Sequence, residues 1–309
     1  MVRAGRDAGG PATILLHGAA GSWTTWTPLL AASDAAGAPL TDVIAPDLPG
    51  WGESGALPAA ADVAAMSDAV AAIARSIGYS SWRVVGHSLG GFIALDIAAR
   101  TPSETIAVTL VSPSGIGVMD AARRPVRGGL RLPGFGGMLL TMRLLAALGA
   151  CGRAFVRALF RLGALRTLTS PLFAQPRTVH RSVIAALADE IRPAAFVRAA
   201  ARAGAYDPDT WRRITCPVVA VRGVHDVFAG ERDAAGFAER IGGFHETVLQ
   251  DAGHFAHVER PAAVLAALRT PPMPGGASTT GAAARHPDQD RVATIRRNQA
   301  RVARVMSAG

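Results

Sequence analysis

The sequence contains no lysine and only two cysteines, so all 32 of its basic residues are arginine. The cysteines, Cys151 and Cys216, are far apart and lie in apolar surroundings, which predicts two buried thiols instead of a disulfide framework. The histidines, cysteines and carboxylates nowhere have the spacing of metal ligands. We therefore predict neither a metal site nor another cofactor.

Long apolar runs are absent as well, although half of the residues are apolar. A membrane-spanning helix needs about 20 apolar residues, and the most apolar segment, 128–150, is interrupted by Arg131 and Arg143. Near the N-terminus, the apolar run 12–16 is shorter than the hydrophobic region of a secretory signal. These absences predict a soluble, cytoplasmic protein, and 309 residues suffice for one large α/β domain.

Charge is distributed unevenly along the chain, whose net charge is +9. Segment 120–213 has sixteen arginines and five acidic residues, and segment 270–309 has six arginines and two acidic residues. The remainder is mildly acidic. Such an asymmetry indicates an anionic surface or substrate for the first of these basic segments.

Alternating strand and helix patterns predict a mostly parallel sheet flanked by helices. The predicted strands are 12–16, 41–45, 82–85, 105–111, 217–221 and 246–249, and the predicted helices are 60–77, 89–100, 231–241 and 260–268. Between the two groups of strands, the pattern is helical and rich in Leu, Ala and Arg. The predicted organisation is an α/β core of residues 1–114 and 207–270, an inserted helical cap of residues 115–206, and a linker and tail, 271–309, with a short amphipathic helix as one possibility for its end.

A G-x-S-x-G sequence, residues 86–90, lies between a predicted strand and a predicted helix. Its two glycines would permit a tight turn that exposes the hydroxyl of Ser88 at the helix N-terminus. A serine nucleophile needs a base and a group that orients the base. Asp226 and His254 each follow a predicted strand, in the chain order Ser, Asp, His. We therefore predict Ser88 as nucleophile, His254 as general base and Asp226 as its orienting acid.

Five segments together resemble the ordered signature blocks of the α/β-hydrolase superfamily. They are His17-Gly18-Ala19-Ala20, Asp47-Leu48-Pro49-Gly50-Trp51-Gly52-Glu53-Ser54, Gly86-His87-Ser88-Leu89-Gly90-Gly91, Gly223-Val224-His225-Asp226 and Gly253-His254-Phe255. The similarity runs from about residue 2 to residue 268. It implies an α/β-hydrolase fold, acyl transfer through Ser88, and an oxyanion hole made by the backbone N–H groups of Ala19 and Leu89. It also implies structural roles for His17, Asp47 and Gly52.

The chain departs from this family at both ends. Residues 2–5 resemble the end of the family's second strand, so the first strand has no residues left; either the start lies elsewhere or the sheet has a short edge. The tail, residues 271–309, extends past the last family helix. One hypothesis is that it covers that edge or contacts a partner subunit, and removing it would then change stability or oligomeric state. The sequence itself does not indicate an oligomeric state.

The serine at position 88 excludes the relatives that use aspartate there, such as haloalkane dehalogenases and epoxide hydrolases. Hydrolysis of a carboxylic ester is the first prediction, with a small, hydrophobic substrate and no nucleic-acid partner. Hydrolysis of a carbon–carbon bond in a diketone, thioester hydrolysis and a perhydrolase side activity are the alternatives. A non-catalytic binding protein on the same fold is a further one.

The cap and several aromatic residues bear on substrate choice. Trp23, Trp26, Trp51 and Phe92, with His87 beside the nucleophile, are the candidate lining of a hydrophobic pocket. In the cap, arginines recur every fourth residue at 153, 157 and 161, opposite apolar residues at 148, 151, 155, 159 and 162. One interpretation is contact with an anionic membrane or acyl carrier. The simpler interpretation, which the sequence favours, is a solvated face of arginines whose aliphatic stems cover apolar surface.

Overall fold

The computed structural model describes residues 2–4, 8–58 and 60–269. Seven strands form one sheet, in the spatial order β1-β3-β2-β4-β5-β6-β7. The strands are β1 (Val2–Ala4), β2 (Ala12–Leu16), β3 (Val43–Pro46), β4 (Trp82–His87), β5 (Thr105–Val111), β6 (Val218–Gly223) and β7 (Phe244–Leu249). Strand β1 pairs antiparallel with β3, and every other pairing is parallel. This confirms the predicted mostly parallel sheet.

Helices cover both faces of the sheet. They are α1 (Thr27–Ala35), α2 (Val63–Ile77), α3 (Leu89–Arg100), α4 (Ile116–Arg123), α5 (Pro125–Arg131), α6 (Pro133–Ala147), α7 (Gly149–Arg161), α8 (Ala164–Thr169), α9 (Arg181–Asp189), α10 (Pro193–Ala205), α11 (Glu231–Arg240), α12 (Ala256–Glu259) and α13 (Pro261–Arg269). Helix α2 shows how local sequence sets such bounds. Asp62 caps its first turn by accepting a hydrogen bond from the N–H of Ala65, and Gly78 ends it at φ 106°.

The parallel register brings the carboxyl ends of β4, β5 and β6 to one edge of the sheet. His87 at the end of β4 pairs with Val111 at the end of β5, and Val111 pairs with Val221 in β6. Helix α3 follows β4 after a single residue, and its eleven residues from Leu89 to Ala99 are buried. Loops beyond this edge are where sheets of this kind place their ligands.

The chain between β5 and β6 forms helices α4–α10 and no strand. We call this stretch the cap segment. Two buried carboxylates tie its ends to the body. The N–H of Gly117 in α4 donates to Asp233 in α11 at 2.7 Å, and the hydroxyl of Tyr206, just after α10, donates to Asp96 in α3 at 2.8 Å. Burial raises the pKa of both carboxyl groups. The beginning and the end of the cap segment are thus each anchored by a side-chain hydrogen bond.

Several sequence-based predictions need correction. Strand β3 begins at Val43 instead of 41, and α2 begins at Val63 instead of 60 because Asp62 caps its first turn. Strand β7 begins at Phe244 instead of 246 because it is an edge strand that alternates only weakly in burial. Cys151 is exposed, and only Cys216 is a buried thiol. In α7 the apolar face opposite the arginines is not the buried one: Gly152 and Val156 are the buried residues, while Phe155 is 56% exposed. The predicted tail helix lies outside the described residues. Within the described residues, no helix is both long and apolar enough to cross a membrane.

Candidate active site

Ser88 occupies the single-residue turn between β4 and α3. Its backbone has φ 52° and ψ −115°, a strained conformation for a residue with a side chain. Glycines on both sides make the turn possible. A Cβ at Gly86 would lie 2.3 Å from the carbonyl oxygen of Gly90, and a Cβ at Gly90 would lie 2.1 Å from that of Leu16. Both contacts are impossible for a side chain, so the glycines of the predicted motif are sterically required.

Leu89 and Ala19, the residues expected to form the oxyanion hole, both line the cavity that contains Ser88. Leu89 is the first residue of α3, where a helix N–H has no intrahelical acceptor and the helix dipole favours a negative charge. Ala19 belongs to the loop after β2 and lines the same cavity as Ser88 and Leu89. The indole N–H of Trp51 donates to the carbonyl oxygen of Ala19 at 2.8 Å, which helps to hold this loop in position.

His17 holds the loop after β2 in position through two hydrogen bonds. Its Nδ1–H donates to the carbonyl oxygen of Gly18 at 2.8 Å, and its Nε2 accepts the N–H of Leu48 at 2.9 Å. Asp47 accepts hydrogen bonds from the N–H groups of Trp23 and Glu53. A Cβ on Gly52 would lie 2.2 Å from the Asp47 carboxyl carbon. These contacts make a tight turn, in keeping with the structural roles expected of these residues.

Asp226 and His254 are joined by a buried hydrogen bond. Nδ1–H of His254 donates to the carboxylate, 2.9 Å from Oδ1 and 3.1 Å from Oδ2. Oδ1 also accepts the N–H groups of Phe228 at 2.8 Å and Ala229 at 3.1 Å. The N–H of His254 itself donates to the carbonyl oxygen of Leu172 in the cap segment at 2.9 Å. Asp226 therefore occupies Nδ1 of His254, which leaves Nε2 as the ring nitrogen that can accept a proton.

The pKa values around this pair keep Asp226 ionised and the neighbouring histidines neutral. Burial raises the pKa of Asp226, but the facing His254 and the N–H of Phe228 outweigh it, so the pKa lies below its usual value. Burial lowers the pKa of His17 to about 4 and that of His257 to about 3, and it holds the pKa of His87 well below the usual range. His17, His87 and His257 therefore stay neutral and add no positive charge that would repel one on His254.

His87 packs directly behind His254. Their ring centroids are 4.8 Å apart, and Nε2–H of His87 donates to the carbonyl oxygen of His254 at 3.0 Å. His87 thereby helps to hold the main chain of the histidine loop. It also lines the cavity that contains Ser88, as the sequence predicted.

Ser88 and His254 line a cavity that is partly open to solvent; its empty space, including the open part, is about 720 Å³. Its walls are almost entirely apolar. The apolar lining residues are Ala19, Ala20, Leu89, Phe92, Val118, Phe135, Met138, Leu172, Phe196, Ala199, Ala200, Ala203, Phe228 and Phe255, and the polar ones are His87, Ser88, Ser114 and His254. No arginine or carboxylate belongs to this lining. The cavity therefore suits an uncharged, apolar group next to the serine hydroxyl.

The sequence predicts Trp23, Trp26 and Trp51 as pocket residues, and this is wrong for the cavity that contains Ser88, which none of them lines. Trp26 is fully buried and packs on the ring of His257, with centroids 4.7 Å apart, in the core cluster that contains α1 and α13. Trp23 packs against the same cluster. Trp51 is 1% exposed and braces the Ala19 loop. Tryptophan suits a core as well as a pocket, and sequence does not tell which face of the sheet it joins.

Sequence reasoning missed the residues that the cap segment contributes to the cavity. They are Val118, Phe135, Met138, Leu172, Phe196, Ala199, Ala200 and Ala203. Their apolar spacing within helices gave a signal for burial, but it did not distinguish burial in a core from exposure to a cavity. In residues 2–4, 8–58 and 60–269, no group of three or more His, Cys, Asp or Glu side chains could hold a metal ion.

Comparison with known proteins places the chain in a family. The model of the alpha/beta hydrolase family matches residues 13–268, which is most of the chain. The chain therefore belongs to the alpha/beta hydrolase family, in agreement with the resemblance of its five sequence blocks.

Individual relatives match over shorter stretches. The chain is 38% identical over 120 residues to the dihydrolipoyllysine-residue acetyltransferase component of the acetoin cleaving system of Cupriavidus necator, a match that covers 38% of this chain and 30% of that protein. It is 34% identical over 127 residues to the 2-hydroxy-6-oxo-6-phenylhexa-2,4-dienoate hydrolase of Burkholderia cepacia, covering 40% and 43% of the two chains. Each match spans less than half of the relative's length.

Solved structures resemble the chain over nearly its full described length. A thermophilic esterase from Thermogutta terrifontis superposes with a TM-score of 0.64 at 22% identity, and the match covers 87% of this chain and 91% of that one. At this level of identity the likeness shows the fold alone.

Proposed function

We propose that this protein is a serine hydrolase that cleaves carboxylic esters of uncharged, apolar acids through an acyl-enzyme. The observation that carries the proposal is the apolar cavity that contains both Ser88 and His254, with His254 bonded to the buried Asp226. An ester fits these walls because neither of its two organic groups needs a charged partner.

In the first half of the reaction, Ser88 Oγ attacks the acyl carbon and Nε2 of His254 accepts the hydroxyl proton. The carbonyl oxygen becomes an oxyanion, which the N–H groups of Leu89 and Ala19 stabilise. Asp226 compensates the positive charge of the imidazolium. When the tetrahedral intermediate collapses, the bond to the alcohol oxygen breaks, and His254 gives its proton to that oxygen. The acyl group remains on Ser88.

In the second half, His254 removes a proton from water as the water oxygen attacks the acyl carbon. The bond to Ser88 Oγ then breaks, the serine regains its proton from His254, and the carboxylic acid leaves. No net change occurs in the protein. Each half-reaction uses the same base and the same oxyanion site.

A fluorophosphonate probe tests the nucleophile. We expect labelling of the wild type and none of Ser88→Ala. Ser114→Ala is the matched control because Ser114 lines the same cavity, and its labelling should equal that of the wild type. An unlabelled wild type would favour a non-catalytic binding protein, and labelled Ser88→Ala would refute Ser88 as nucleophile.

Hydrolysis of a carbon–carbon bond is the second candidate, favoured by the 34% identity to the dienoate hydrolase of Burkholderia cepacia. The substrate named for that enzyme is a carboxylate, and no arginine lines the cavity of this chain to bind one. Rates should be compared on p-nitrophenyl esters of increasing chain length, an acyl thioester and that dienoate. We expect the highest kcat/KM with an uncharged ester. Faster cleavage of the dienoate or the thioester would overturn the choice of substrate class while leaving the serine mechanism intact.

A further inference from the structure

The outward faces of α5, α6 and α7 expose large apolar side chains. On α6 and the residue after it, Leu140, Leu144 and Leu148 recur every fourth residue, so they share one helix face, and each is more than half exposed. On α7 and beyond, Phe155 is 56% and Leu162 80% exposed. A soluble surface rarely keeps this many large apolar groups on neighbouring helices without a partner.

The three helices pack on one another, which brings these groups onto neighbouring surfaces. Gly129 in α5 and Gly136 in α6 touch closely, since a Cβ on Gly136 would lie 2.8 Å from the Cα of Gly129. Gly152 in α7 likewise packs on the backbone of Leu145 in α6. We call the exposed residues of α5–α7 and their flanks, 126–162, the outer cap face.

Arginines are interspersed among these apolar side chains, and carboxylates are absent from the same stretch of chain. From residue 121 to residue 188 there is no Asp or Glu. Exposed arginines of the outer cap face are Arg127, Arg131, Arg143, Arg153, Arg157 and Arg161. Arg131 pairs with Asp120 at 3.6 Å and Arg157 with Asp189 at 3.2 Å, and within the described part of the chain no carboxylate pairs with the other four. The face therefore combines apolar groups with uncompensated positive charge.

We propose that the outer cap face docks on a lipid surface that contains anionic headgroups. Leucine and phenylalanine side chains enter the acyl boundary, and the arginines bind lipid phosphates, as in amphipathic helices that lie on membranes. Charge complementarity selects this occupant. A second copy of the chain would bring two arginine-rich faces together, and the tail, 270–309, has six arginines and two acidic residues. Repulsion between like charges therefore disfavours both a second copy and the tail as the partner of this face.

The docking helix α6 also lines the substrate cavity. Phe135 and Met138 face the cavity that contains Ser88, whereas Leu140 and Leu144 face outward. Docking would therefore bring the cavity wall next to a bilayer, where apolar esters are concentrated. The docking itself does not depend on the proposed hydrolysis.

Flotation of the full chain with lipid vesicles tests the proposal without any turnover. Vesicles of phosphatidylcholine alone are compared with vesicles containing roughly a third phosphatidylglycerol, at about 0.1 M and about 1 M salt. We expect binding to the anionic vesicles, with a large loss at high salt. Absence of binding, or equal binding to both kinds of vesicle, would overturn the proposal and point to another partner, such as an acidic protein.

Variants locate the binding surface. Leu140→Ser/Leu144→Ser should weaken vesicle binding about ten-fold or more because it removes inserted apolar area. Arg143→Gln/Arg153→Gln should weaken vesicle binding by about five-fold for each arginine that is replaced. The matched control Ile77→Ser/Arg83→Gln changes one exposed apolar residue and one exposed arginine of the α/β body, and its binding should equal that of the wild type.

Folding and self-association are checked on the same proteins. All variants should keep the thermal midpoint and the hydrolysis of a water-soluble ester, since none of the altered residues lines the cavity. Vesicle binding unchanged in both cap variants would refute the outer cap face as the docking site. Dimerisation of the wild type that is lost in Leu140→Ser/Leu144→Ser would assign the face to a second copy instead.

Discussion

Replacing Asp226 with asparagine probes the orientation of His254. In the wild type, Oδ1 accepts two backbone N–H groups, and the carboxylate accepts Nδ1–H of His254. The asparagine oxygen must stay at the Oδ1 position to satisfy the N–H groups of Phe228 and Ala229. Its NH₂ group then occupies the Oδ2 position, 3.1 Å from Nδ1 in the wild type. There it can donate to Nδ1 and favours the tautomer with the proton on Nε2.

That tautomer cannot accept the Ser88 proton. We expect kcat/KM of Asp226→Asn on an uncharged p-nitrophenyl ester to fall about 10⁴-fold, which is about 5.5 kcal/mol of transition-state stabilisation. Asp233→Asn is the matched control. Asp233 is also buried, but its partners are the N–H groups of Gly117 and Gly230, so this change should leave kcat/KM within about ten-fold.

Stability against pH provides an independent readout. The pKa of Asp226 is lower in the folded protein than its ordinary value, so its ionised form stabilises the fold above the unfolded pKa. This contribution is lost as the pH falls through the folded pKa. Urea denaturation at a series of pH values should show a loss below about pH 4 that is smaller in Asp226→Asn. A variant that keeps activity within ten-fold of the wild type would refute the assigned role of Asp226.

Three further predictions concern packing, anchoring and substrate size. Gly90→Ala should lower the thermal midpoint sharply or prevent folding because its Cβ has no room, whereas Gly137→Ala, with no atom within 4 Å of the new Cβ, should be neutral or stabilising by about 0.5–1 kcal/mol. Tyr206→Phe should cost about 1–3 kcal/mol in urea denaturation because buried Asp96 loses its hydroxyl donor, and a cost near zero would contradict this anchor. Ala199→Phe should narrow the cavity and lower kcat/KM for octanoate esters about ten-fold more than for acetate esters; equal losses would place the acyl group elsewhere.

The catalytic candidates were readable in the sequence because each depends on local order. The two glycines around Ser88 are needed for a turn of one residue, and the structure shows the carbonyl groups that exclude any side chain there. Asp226 and His254 each follow a strand of a parallel sheet, so the fold brings them to one edge once the strands are placed. The hydrogen bond between them joins residues 28 positions apart.

Other features depend on which surfaces meet, and sequence patterns do not specify that. Trp26 and Phe92 are both buried aromatics, but they pack on opposite faces of the sheet, and only Phe92 reaches the cavity. In α7, Arg153, Arg157 and Arg161 share one face and Phe155 lies opposite them, but the buried residues are Gly152 and Val156, so periodicity alone does not show which stripe is buried.

Composition and motif order determined the α/β class and the positions of the candidate nucleophile Ser88 and its expected partners Asp226 and His254, because these follow from strand ends and steric limits within a few residues. Tertiary structure alone decided the apolar cavity and the exposure of the outer cap face. The cavity walls come from segments more than a hundred residues apart, from Ala19 to Phe255. Helix α6 can present Met138 to the cavity and Leu144 to the outside only after its neighbours have occupied the remaining sides.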